Sequence, residues 1–199
     1  MQGESRVKKS LLNAKVNTVC YFVALAVAFF TRKVFIDQLG IEFTGLTSSL
    51  QSLLGFLNLA ELGVATAIGY VLYRPIFDND KVHINEIISV FGYLYRWIGY
   101  VILGAGIVLS FFLPLIFSDA PFSYPVLFFG FYAFLASSLL GYFLNYKISL
   151  LAADQKNYVV TGYFQLITTV KSLVQMVLAL YCKDFILYFS IEILAGIAN

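Results

Sequence analysis

Six apolar stretches, at roughly 12–37, 43–74, 84–117, 123–151, 158–181 and 185–199, occupy almost all of this 199-residue sequence. Only short polar connectors separate them. A helix needs about 20 apolar residues to cross the hydrocarbon layer of a bilayer. Hydrophobic residues make up 60% of the chain and charged residues 12%, whereas soluble domains carry about 25% charged residues. Most of the surface therefore cannot be meeting water. The pattern predicts an all-α, polytopic membrane helix bundle formed by residues 1–199 as one unit, with five complete transmembrane helices. The last run, Phe185 to Asn199, has 15 residues, short of the roughly 20 needed. It reads as a sixth helix cut within its length, so that the chain is expected to be a fragment of a longer protein.

The N-terminal apolar run is expected to stay in the protein, because its helical pattern continues without a break through Thr31, Arg32 and Lys33 to Ile36. Orientation follows from the distribution of basic residues. With the N-terminus on the cytoplasmic side, that side receives Arg6, Lys8, Lys9, Lys15, Arg74, Lys81, Lys147 and Lys156, while the other receives only Arg32, Lys33 and Lys183. A net charge of +2 with no long basic run gives no reason to expect a nucleic-acid partner.

The second span is unusual. Thr44, Thr47, Ser48, Gln51, Gly55, Asn58, Glu61, Thr66, Gly69 and Tyr73 share one side of a helix at 100° per residue, and the carboxylate of Glu61 falls near its middle. A charge there is costly and usually faces a bundle interior or a watery cavity. Other spans carry polar stripes too. Arg32 ends a row that includes Asn13, Asn17 and Thr31. Ser89, Tyr93, Arg96 and Tyr100 align on the third span, Ser138, Tyr142, Asn145 and Ser149 on the fourth, and Thr161, Gln165, Thr168, Lys171 and Gln175 on the fifth. Lipid cannot satisfy such groups, so the stripes are expected to converge. Two outcomes are open: dry packing, with Glu61 paired to Arg96 or Lys171 as an assembly device, or a wet, cationic, tyrosine-lined cavity. The small residues Ala133, Ser137 and Gly141 suit close helix packing. For a cavity, the lining candidates are Arg32, Asn58, Glu61, Tyr93, Arg96, Tyr100, Asn145, Gln165 and Lys171.

Enzyme chemistry has no visible foothold. There is no Ser/His/Asp set, phosphate-binding glycine loop or HExxH pattern, and the only histidine, His83, reads as a polar loop residue. No metal or other cofactor is implied. Cys20 and Cys182 fall toward opposite ends of the bundle and are not expected to pair.

Several segments together resemble the N-terminal part of bacterial Wzx-type polysaccharide flippases: Asn13-Ala14-Lys15-Val16-Asn17, Phe29-Phe30-Thr31-Arg32-Lys33-Val34-Phe35, Asn58-Leu59-Ala60-Glu61-Leu62-Gly63, Tyr73-Arg74-Pro75 and Ile84-Asn85-Glu86-Ile87. These flippases belong to the multidrug/oligosaccharidyl-lipid/polysaccharide exporter superfamily, which also contains the MATE drug exporters. The resemblance implies an N-terminal lobe of a two-lobed, alternating-access transporter in the bacterial inner membrane, with the second lobe missing. It implies a lipid-linked oligosaccharide as substrate, carried on undecaprenyl diphosphate. Arg32, Arg96 and Lys171 would then meet the diphosphate, and Glu61 would couple transport to H+ or Na+ or hold a basic partner. Membrane lipids and a polysaccharide polymerase complex are the further partners implied. A MATE-type drug exporter, a membrane-embedded glycan polymerase or glycosyltransferase, and a non-transporting scaffold are the alternatives. The first wants an acidic cavity. The second wants a sizeable loop carrying catalytic residues, which no connector here offers.

Overall fold

The computed structural model describes residues 6–61, 63–118, 120–144, 148–153 and 156–198. Among them the chain is helical throughout, without strands. In order the helices are α1 (Arg6–Leu39), α2 (Ile41–Leu57), α3 (Val64–Phe77), α4 (Lys81–Ser110), α5 (Leu113–Ile116), α6 (Tyr124–Leu144), α7 (Ile148–Ala153), α8 (Asn157–Tyr181) and α9 (Phe185–Ala198). Among the described residues, four stretches are long and apolar enough to cross a membrane: Ser10–Leu39, Lys81–Ser110, Tyr124–Leu144 and Asn157–Tyr181.

The second span departs from expectation. Instead of one helix over 43–74, α2 ends at Leu57, Asn58–Glu61 forms a 3-10 turn, and α3 restarts at Val64. Gly63 makes this break feasible. Its φ of +87° is left-handed, a conformation that costs an L side chain but not glycine. Pro75 does not end the second segment either, since α3 runs through it to Phe77. The third span begins at Lys81 rather than 84. Asp80 caps it, accepting from the backbone N–H groups of Val82 and His83, both at 3.1 Å.

The interior is built where α2, α4, α6 and α9 meet. Phe43 stacks on Phe185 with ring centroids 4.5 Å apart and meets Tyr188 edge-on at 5.2 Å. Phe43, Leu50, Phe91, Ile102, Phe131 and Phe189 are fully buried. Lipid tails are as apolar as these side chains, so close packing rather than escape from water must hold such helices together. Small residues provide it. A Cβ on Gly130 would stand 2.5 Å from the ring of Phe189, and one on Gly196 would stand 2.5 Å from the hydroxyl of Ser137. Of the expected small-residue ridge, Ser137 thus makes the α6–α9 contact and Ala133 is buried, while at Gly141 nothing lies close.

On the other side, α1 lies along α8. The Oδ1 of Asn13 accepts from the backbone N–H of Tyr158 at 2.6 Å, near both helix starts, so the two run parallel. α9 returns antiparallel to α8, with the Tyr163 hydroxyl donating to the Ala198 carbonyl at 2.8 Å.

Candidate functional site

Two polar clusters sit inside the helical body, on different helices. The first forms at the break. Because the chain leaves helical geometry at Asn58–Glu61, these side chains project toward α4 and α6 rather than along a continuous stripe. The Tyr95 hydroxyl donates to Glu61 Oε1. Asn58 Oδ1 accepts from the Ser138 hydroxyl at 3.1 Å and from the Tyr142 hydroxyl at 3.2 Å. The Tyr95 and Tyr142 rings lie 5.8 Å apart, which closes the cluster. Among the described residues, Glu61 has no ion pair, with Arg96, Lys171 or any other cation. Its carboxylate lies just before the start of α3, where the exposed N–H ends of a helix favour negative charge.

The second cluster joins α8 to α9. Lys171 Nζ lies 2.8 Å from Glu192 Oε1, and the two side chains are 19% and 9% exposed. The Gln175 amide donates to the other oxygen of Glu192 and to the Tyr188 carbonyl, each at 3.2 Å. Lys171 therefore does find a carboxylate partner, but it is Glu192 and not Glu61. Topology decides this. The antiparallel return of α9 brings position 192 beside 171, while Glu61 belongs to the α4–α6 side.

Two clefts line the α1–α8 seam. One, of about 270 Å³, is walled by Val19, Cys20, Val23, Gly162, Leu166 and Val170 and is apolar. The other, of about 200 Å³, is walled by Ala24, Val27, Ala28, Thr168 and Ser172. Both touch Gln165 and Thr169. The Gln165 amide donates to the Thr169 hydroxyl at 3.3 Å, so this pair forms the wall between the two. The second cleft, whose surface is also mostly apolar, lies near the midpoints of both helices. One turn beyond it on α1, the Thr31 hydroxyl is buried without a hydrogen-bond partner among the described residues.

The remaining candidates disperse. Arg32 and Arg96 are exposed. Tyr93 and Tyr100 are also exposed, with Tyr100 packed on Phe143 at 5.5 Å and Tyr93 on Trp97 at 6.4 Å. The row Tyr93–Arg96–Tyr100 is thus the outer face of α4 in this chain, contrary to the expectation that it turns inward. The inner face is Phe91, Gly92, Tyr95, Gly99, Ile102 and Gly106. Asn145 lies outside the described residues. Tyr95, Tyr188 and Glu192 in the clusters, and Thr169 and Ser172 in the cleft, are the site residues the stripes did not include. The glycines spaced at seven on α4 were the available signal for Tyr95, because they mark the face that neighbours approach. Both cysteines are free, Cys20 half-buried and Cys182 exposed. Among the described residues no group of His, Cys, Asp and Glu is arranged to hold a metal ion.

No protein-family model matches this chain, and no curated protein or solved structure matches it either.

Proposed function

We propose that this chain is a transport lobe that moves lipid-diphosphate-linked oligosaccharide across a bacterial inner membrane, with its N-terminus cytoplasmic and a fold like that of the multidrug/oligosaccharidyl-lipid/polysaccharide exporters. The observation that carries the reading is the pair of polar clusters set among apolar helices, Glu61 and Asn58 with Tyr95, Ser138 and Tyr142, and Lys171 with Glu192 and Gln175. Charged groups within membrane-crossing helices are costly and mark substrate or ion paths. Lys171 supplies the positive charge a diphosphate needs. Glu61, held by a tyrosine hydroxyl and by no cation among the described residues, is the group assigned to H+ or Na+ coupling.

The test is made in the cell that carries the protein. Disrupting the gene is expected to remove the glycan from the surface and to leave the lipid-linked intermediate on the cytoplasmic leaflet. Unchanged surface glycan with no accumulated intermediate overturns the reading. Changed sensitivity to cationic drugs with normal glycan favours a drug exporter instead.

A further inference from the structure

We propose that Glu192 is a built-in competitor for the substrate's anionic group: it occupies Lys171 when the site is empty and yields that position to a lipid diphosphate. This inference rests on the transport reading above and adds to it the residue that controls access to the cation.

The geometry suits exchange better than a permanent strut. Lys171 gives one of its three N–H groups to Glu192, at 2.8 Å, and stays about one-fifth exposed while its partner is nearly covered. Its ammonium lies at the α8–α9 contact, with part of the side chain left open. A second anion reaching that open side meets an ammonium with two donors to spare.

Glu192 has somewhere to go. Its Oε2 already accepts from the Gln175 amide, which is itself anchored on the Tyr188 carbonyl. When Oε1 releases Lys171, the carboxylate keeps that neutral donor. Within this cluster the charges cancel, so an empty site holds no stranded ion in the membrane. A diphosphate that takes over Lys171 is neutralised there, and the freed Glu192 carries the charge that must be settled next. A purely structural bridge would need neither the exposure of the lysine nor the second donor on the glutamate.

The test is equilibrium binding of farnesyl diphosphate to the full chain in nanodiscs, with farnesol as the control. If Lys171 is free about a tenth of the time in the wild type, Glu192→Gln tightens binding of the diphosphate about tenfold and leaves farnesol unchanged. Glu192→Asp, which keeps the charge but draws the carboxylate back by one methylene, moves affinity in the same direction by less. It decides the matter if circular dichroism shows Glu192→Gln to be unfolded. Wild-type binding that is equal or tighter than that of the folded variants overturns the role of Glu192 and leaves the transport reading standing. Absence of diphosphate binding in wild type and variants alike overturns both.

Discussion

Glu61 and Glu192 are carboxylates set among apolar helices, and the molecule treats them differently. Glu192 meets the ammonium of Lys171 and the amide of Gln175, so its charge is cancelled within its own cluster. Glu61 meets the hydroxyl of Tyr95 at a break in the helix, with no cation beside it among the described residues. An ion pair in a low-dielectric interior is complete once formed, and removing one member leaves the other exposed to the full cost of burial. A carboxylate held by hydroxyls is incomplete. Among the described residues no cationic side chain balances Glu61, which leaves that to a proton or a mobile cation. The contrast separates a carboxylate already balanced by a lysine, which it can yield only to another anion, from one suited to taking up and releasing charge itself.

The largest effect should come from stranding Glu192. Lys171→Ala is expected to lower stability by about 3–5 kcal/mol, read from unfolding in detergent, whereas Glu61→Gln removes no partner's charge and should cost far less. Equal losses in the two variants would break the comparison. Replacing both members of the pair, as Lys171→Met with Glu192→Leu, should return stability to within about 1 kcal/mol of wild type or better. Tyr95→Phe comes next, with a loss of about 1–2 kcal/mol. In a double-mutant cycle with Glu61→Gln, that loss should shrink, because the two side chains share one hydrogen bond.

The smallest effect belongs to a third carboxylate, in water. The backbone N–H of His83 donates to Asp80 and holds its carboxyl below the ordinary carboxylate range; the hydrogen bond and charge of the His83 ring and the backbone N–H of Val82 act in the same direction. Since the folded state lowers this pKa, the stabilisation is fully present above the ordinary carboxylate value and is lost as pH falls through the folded one. The protection factors of the Val82 and His83 amides, that is, exchange corrected for the intrinsic rate at each pH, should fall over that acidic window. Asp80→Asn should remove most of the pH dependence while keeping the cap, because asparagine also serves at this position.

The long helices were legible because an apolar run of membrane length has few alternatives. The break at Asn58–Gly63 was not, because the helical periodicity of the second span continues through it and only Gly63 hints at the left-handed turn. The polar stripes misled in one respect. On α2 the hydroxyls of Thr44, Thr47, Ser48 and Ser52 bond to carbonyls of Gly40, Thr44 and Ser48 in their own segment, so serine and threonine there need no cavity. The partner of Lys171 could not be read from spacing, because which carboxylate faces it depends on the direction in which α9 returns. Asn58 and Glu61 did come together, three residues apart on one turn, and Ser138 and Tyr142, which hold Asn58, lay on the polar stripe of the fourth span, but Tyr95 comes from a face defined by glycine rather than by polarity.

One contact has a consequence for how the molecule is made. Asn13 and Tyr158 are joined across 145 positions, and α1 finds its main neighbour only when α8 emerges. At about 5–20 residues per second, the ribosome takes roughly 7–30 s to span that interval. For that time the first helix must wait beside the insertion machinery or among lipids, while α2, α4 and α6 are made and α9, which completes the interior, is still to come. Biogenesis factors that shelter newly inserted helices would act on α1 during this interval.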